Sequence, residues 1–156
     1  MVASLTRGVF IFSACFLLAA CSSVKEYHGT SVDNFTFKTE LNEADKIRAE
    51  VGINRVDKNC NSMFLGRLKL NEEPVVIGIQ ENSRIIFVFA FVGEGFVNRN
   101  TVGKMQAFIE VKQNHRYEVR LVYSDSIFDA IFKETNLQTG RSRVLQPDME
   151  PACLAA

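Results

Sequence analysis

The sequence predicts an all-β protein, an antiparallel sandwich of about seven or eight strands, with one short helix as a candidate near residues 41–50. Short apolar runs recur at spacings near ten residues from residue 49 onward, each bounded by turn-forming residues, which is the rhythm of a small sandwich. The run from His115 to Tyr123 alternates strictly, with Tyr117, Val119, Leu121 and Tyr123 set against Arg116, Glu118 and Arg120. That period of two puts one face in a core and the other in water. No internal repeat or low-complexity segment competes with this pattern.

The first element is not part of the fold. Met1 to Gly8 carries one charge, Arg7, and Val9 to Leu18 is a run of apolar and small residues. A run of about ten residues is too short for a bilayer core, which takes about 20, and has the size of the apolar part of an export signal. The run ends in Leu18-Ala19-Ala20-Cys21, which resembles the lipobox of bacterial lipoproteins. The resemblance implies that residues 1–20 are removed and that Cys21 becomes the acylated N-terminus. Each buried methylene contributes about 0.8 kcal/mol, so several acyl chains hold a protein stably where one is marginal. Ser22, in place of an aspartate, resembles the sorting pattern of outer-membrane lipoproteins and implies a periplasm-facing location there.

Residues 21–34 are mostly polar or small and read as a lipidated tether, leaving 35–156 as the sandwich domain. Phe35 to Phe37 opens it. Glu40 to Glu50 is ambiguous, because Leu41, Ala44, Ile47 and Val51 have helical spacing; a short helix is expected there. Strands follow at Val51–Val56, Met63–Leu70, Val75–Ile79, Arg84–Val92, Met105–Val111 and His115–Tyr123. They are cut by turns at Asn71-Glu72-Glu73-Pro74, Glu81-Asn82-Ser83, Gly93 to Asn100 and Lys112-Gln113-Asn114. Residues 127–134 fit a helical stripe and a strand alike. The turn-like Asn136 to Gly140, with Arg141–Leu145 as a return strand, favours a hairpin.

Composition bounds the function. Lysine and arginine number 18, as do aspartate and glutamate. Losing Arg7 with the signal leaves 17 against 18, so no basic excess exists to capture nucleic acid. Of four cysteines, Cys15 leaves with the signal and Cys21 takes lipid. Cys60 and Cys153 remain, and an exported pair is expected to form a disulfide. Closing that loop is worth about 4.5 kcal/mol by chain entropy. Two cysteines and two distant histidines, His28 and His115, lack the ligand spacing of a metal site, and no cofactor motif is present.

Two patches invite a function. Ile85 to Val92 is apolar on both faces, so it is either a central strand covered twice or a strand presenting Phe87, Phe89 and Phe91 to a partner. Tyr123 to Asp129 gathers Asp125 and Asp129 with two hydroxyls and a tyrosine; paired carboxylates can do acid–base work, yet a tight turn asks for the same residues. Arg116, Arg120, Arg141 and Arg143, with Glu118 and Glu134 among them, read as an ion-paired wet face.

From Gly66 to Tyr123 the strand order resembles the small immunoglobulin-like or carboxypeptidase-regulatory-like sandwiches of bacterial envelope proteins. The features are a strand–turn–strand containing Val75–Ile79, a long apolar strand, and a turn into Arg116-Tyr117-Glu118-Val119. The resemblance implies a non-catalytic binding or scaffolding module with an envelope protein as partner, and transfers no site residues. The rival readings are a transthyretin-like assembly lipoprotein of type VI secretion and an envelope hydrolase built on Asp125 and Asp129.

Overall fold

The computed structural model describes residues 25–41, 47–70, 73–94, 99–124 and 127–147. Among them nine strands form two sheets and no residue is helical. In chain order they are β1 (Phe35–Glu40), β2 (Ile47–Val56), β3 (Ser62–Leu70), β4 (Val75–Ile77), β5 (Ser83–Glu94), β6 (Arg99–Val111), β7 (His115–Ser124), β8 (Ile127–Asn136) and β9 (Ser142–Leu145). The five-stranded sheet runs β4-β1-β7-β8-β9 and the four-stranded sheet β3-β2-β5-β6. Pairing is antiparallel except between β1 and β7, which run parallel with Phe35 beside Tyr117. About 80 residues and the whole four-stranded sheet separate those two strands, so no tight turn forces them to oppose.

The turns are built as the sequence suggests. Asn82 and Asn114 hold left-handed backbones, φ 57° and 56°, a conformation asparagine tolerates better than most residues. Asn136 Oδ1 accepts from the backbone N–H groups of Gln138 and Thr139, and Gly140 takes φ 70° where β8 turns into β9. Three boundaries differ from expectation. Residues 47–50 continue β2, because Ala49, Val51 and Ile53 alternate into the core; the rest of the expected helix, 42–46, lies outside the described residues. Gly93, Glu94, Arg99 and Asn100 pair across a longer β5–β6 hairpin. Val75–Ile79 stops pairing at Ile77.

The core lies between the sheets and is aromatic. Phe87 on β5 meets Phe35 and Phe37 on β1 at ring separations of 5.4 and 5.6 Å. Phe35 stacks on Tyr117 at 4.6 Å, and Phe89 meets Phe132 edge-on at 6.1 Å. Such pairs add about 0.5–1.5 kcal/mol each beyond burial. Phe87, Phe89 and Phe91 are 0% exposed. The expectation that they face a partner is therefore overturned: they form the inner row of β5. The outer row is Ile86, 4% exposed, followed by half-buried Val88, Ala90 and Val92.

Candidate functional site

The described part of the expected tether does not hang free. Residues 25–34 form a strap along the side of the sandwich. Glu26 makes a parallel bridge to Arg67 on β3, with Tyr27 N donating to Arg67 O (3.1 Å) and Arg67 N to Lys25 O (2.9 Å). The strap then crosses to the other sheet. Thr30 N and the Tyr27 hydroxyl both donate to Gly78 O at 2.8 Å. Buried Asn34 ends it by a reciprocal pair, donating to Ile79 O and accepting from Ile79 N, each at 2.8 Å.

Glycines make this contact sterically feasible. A Cβ on Gly66 would stand 2.6 Å from the Tyr27 backbone, and one on Gly78 would stand 2.2 Å from Thr30 O. Both are too close for any side chain, so these positions exist to let backbone meet backbone. Neither glycine stands out in the sequence, where each reads as an ordinary strand or loop residue.

Beside the strap lies the β2–β3 hairpin. Its turn is organised by Asp57, whose carboxylate accepts from Asn59 N, Asn61 N and Asn61 Nδ2, each at 2.8 Å. Those bonds, the Asn61 side chain first, hold the Asp57 carboxyl below its ordinary value. Cys60 sits in this turn, half-buried, with φ 66°. Cys21 and Cys153 lie outside the described residues. A bulge between Ile53 and Asn54 sets Phe64 opposite Asn54, and the Phe64 ring lies 3.7 Å from where a Cβ on Gly52 would sit. Bulges re-aim side chains in this way. Met63 and Phe64 are 47% and 42% exposed, and Arg55 stands opposite Met63.

From Phe64 an apolar band crosses the outer face of the four-stranded sheet. One register row runs Phe64, Asn54, Ile86, Phe108 and the next Arg67, Gly52, Val88, Gln106. Val88 and Phe108 are half-buried. The outer face of the five-stranded sheet is different: Lys38 pairs with Glu118 at 2.6 Å and Arg120 with Glu40 at 3.2 Å. The hydrogen bond from Lys38 holds Glu118 below its ordinary value.

The carboxylate with the most unusual setting is Glu134, 4% exposed. Burial alone would raise its pKa, but Arg143 Nε at 2.6 Å and Lys112 Nζ at 3.1 Å outweigh that and hold it down. The Tyr117 hydroxyl, 3.3 Å from Glu134, accepts from Lys112 N, and burial pushes it up to about 12. The cluster locks the β6–β7 turn to β8 and β9; all its valences serve structure. Arg143 and Glu134 thus do pair as expected, with the glutamate buried rather than wet.

The Tyr123–Asp129 patch does not assemble as a site among the described residues. Tyr123 stacks on Phe128 at 4.5 Å, and Phe128 in turn on Phe91 at 4.2 Å. Asp129 is exposed and bonds its own neighbour, Ala130 N. Asp125 and Ser126 lie outside the described residues. His115 bonds Gln113 O and Asn136 at the end of a hairpin, and His28 is exposed on the strap. An open groove of about 620 Å³ at the turn end is lined by Arg55, Asp57, Arg84, Glu110 and Lys112, among others. Its charges are mixed, and Arg84 is already committed to the Asp57 carbonyl. No family model matches the chain, and no curated protein matches it either.

Proposed function

We propose that this protein is an outer-membrane lipoprotein, anchored through Cys21, that acts as a non-catalytic binding or scaffolding module of the cell envelope. The observation that carries the reading is the N-terminal order of one basic residue, a ten-residue apolar run and Leu18-Ala19-Ala20-Cys21 ahead of a folded sandwich. Export is also the setting in which Cys60 and Cys153, the two cysteines left after loss of Cys15 and lipidation of Cys21, would join as a disulfide.

A binding role is supported by the outer face of the four-stranded sheet, where half-buried Val88 and Phe108 present apolar surface near the Arg67–Glu50 pair. Apolar bands rimmed by charge are the usual signature of protein contact. The test has two arms. Metabolic labelling with a palmitate analogue should mark the full chain in a Gram-negative host and fail for Cys21→Ser, which should also leave the outer-membrane fraction. A photo-crosslinking residue at Val88 should give envelope adducts that one at Lys38 does not; equal adducts at both would remove the outer face as the contact surface.

A further inference from the structure

We infer that the strap and the β2–β3 hairpin form a membrane-resting edge, with Met63 and Phe64 seated in the interface of a phospholipid bilayer. The inference rests on the lipid anchor at Cys21 and deepens it by saying which side of the sandwich meets the lipid. Its first ground is covalent reach. Lys25 is pinned to β3, its carbonyl 2.9 Å from Arg67 N, and Cys21 is only four residues earlier. Four residues span at most about 14 Å, so an acylated Cys21 holds the β3 edge close to the bilayer, with no long leash.

Direction is the second ground. Because the Glu26–Arg67 bridge is parallel, Lys25 to Tyr27 runs away from the Asp57–Asn61 turn, so the N-terminal end of the strap lies on the side of that turn. Met63 and Phe64 lie two or three residues beyond Gly66 on that side, about 7–10 Å along the strand. The third ground is what the structure places there. Two large apolar side chains, each more than two-fifths exposed, occupy successive residues of the edge strand that the anchor approaches, one on each face of the sheet. Arg55 stands opposite Met63, and Lys58 in the adjoining turn and Lys25 on the strap are exposed cations, while the Asp57 carboxylate is occupied by Asn59 and Asn61 and Glu26 is exposed. An aromatic and a thioether flanked by cations fit the headgroup–acyl boundary of a bilayer carrying anionic lipid. Standing on this edge leaves Val88 and Phe108, further across the sheet, open to a protein partner.

The chain contains no tryptophan, so a single indole reports its own depth. The acylated Phe64→Trp protein would be reconstituted into phosphatidylethanolamine–phosphatidylglycerol vesicles whose acyl chains carry bromine. Its emission should shift to the blue and be quenched, whereas Val144→Trp, on the far edge of the other sheet, should keep its emission. Met63→Trp, quenched like Phe64→Trp, guards against a local fault in one variant. An acylated protein in which neither hairpin indole is quenched, or in which Val144→Trp is quenched equally, overturns the membrane edge and leaves the anchor standing. Absence of acyl label on Cys21, read on the same samples, overturns the anchor and the edge together.

Discussion

The two sheets solve the problem of an outer face in opposite ways. On the five-stranded sheet the outward row is charged and cross-paired, Lys38 to Glu118 and Arg120 to Glu40. On the four-stranded sheet the outward side carries half-buried Val88 and Phe108 beside the buried Ile86, with Phe64 and the Arg67–Glu50 pair toward the β3 edge. Edges differ as well. The β3 edge is covered by the strap, while β4 and β9 are only three and four residues long. Short or covered edges resist unwanted strand addition. The contrast lies in the middle of each face, charge pairs on β1 and β7 against apolar residues on β5 and β6, while Val76 and Val144 stay exposed on the edge strands of the five-stranded sheet; each of the following tests presses on it.

The largest effect is expected from crossing β5 itself. Phe87→Ala empties the centre of the aromatic core and should cost about 3–5 kcal/mol, read as a lower midpoint in urea unfolding. Val88→Ala, one residue away but on the outer face, should cost about 1 kcal/mol or less. If the two losses are equal, the outer band is core and the contrast between the sheets fails. Next comes the strap. Gly66→Ala puts a methyl group 2.6 Å from the Tyr27 backbone, an overpacking that costs about 1–3 kcal/mol. The loss should be local, so limited proteolysis within residues 25–34 should accelerate while β5 amides keep their exchange protection. Uniform loss of protection would mean that the strap is integral to the sandwich.

The all-β class and most of the strands were legible because period-two alternation and turn residues are local signals, though nine strands stand where about seven or eight were expected. His115–Tyr123 and the Asn82 and Asn114 turns needed no tertiary information. The helix suggested by Leu41, Ala44, Ile47 and Val51 was not decidable locally, since Ala49, Val51 and Ile53 fit a strand equally well and the β5 partner decides. The inward and outward rows of β5 could not be told apart, because both are apolar; only the facing Phe35, Phe37 and Phe132 assign Phe87 and Phe89 to the core. The strap was illegible for a different reason. Its partners, Arg67 and Gly78, lie about 40 to 50 residues away, and the polar composition of 25–34 is that of a linker. Glycine at 66 and 78 was the available hint, and it is visible only once the backbones are seen to touch.

Glu134 tests the contrast chemically. Glu134→Gln keeps shape and removes charge from a site where Arg143 and Lys112 converge, and should cost about 1–2 kcal/mol. The pH sign follows from its depressed folded value. The unfolded glutamate titrates near 4.5, so the stabilisation is whole above that pH and fades as pH falls through the lower folded value. Wild type should therefore lose stability on acidification from about 4.5 downward more steeply than Glu134→Gln. Parallel acid curves would show that the charge of Glu134 is not what locks β6–β7 to β8 and β9.

The smallest effect is the most telling about the water-facing sheet. Lys38 and Glu118 sit 2.6 Å apart, but their side chains are 43% and 40% exposed, so solvent screens the pair and ordering two long chains offsets most of its attraction. Exposed pairs of this kind contribute about 0.2–1 kcal/mol. Lys38→Ala should change the urea midpoint barely, and that small change should shrink further as salt is raised toward 1 M, where the screening length is about 3 Å. Because Glu118 is held low chiefly by the Lys38 hydrogen bond, the substitution should also let its carboxyl titrate nearer the ordinary value, which NMR of the side chain reads directly. A salt-independent loss larger than that range would mean the outer row of the five-stranded sheet is buried against something, and the contrast between the middles of the two faces would have to be drawn again.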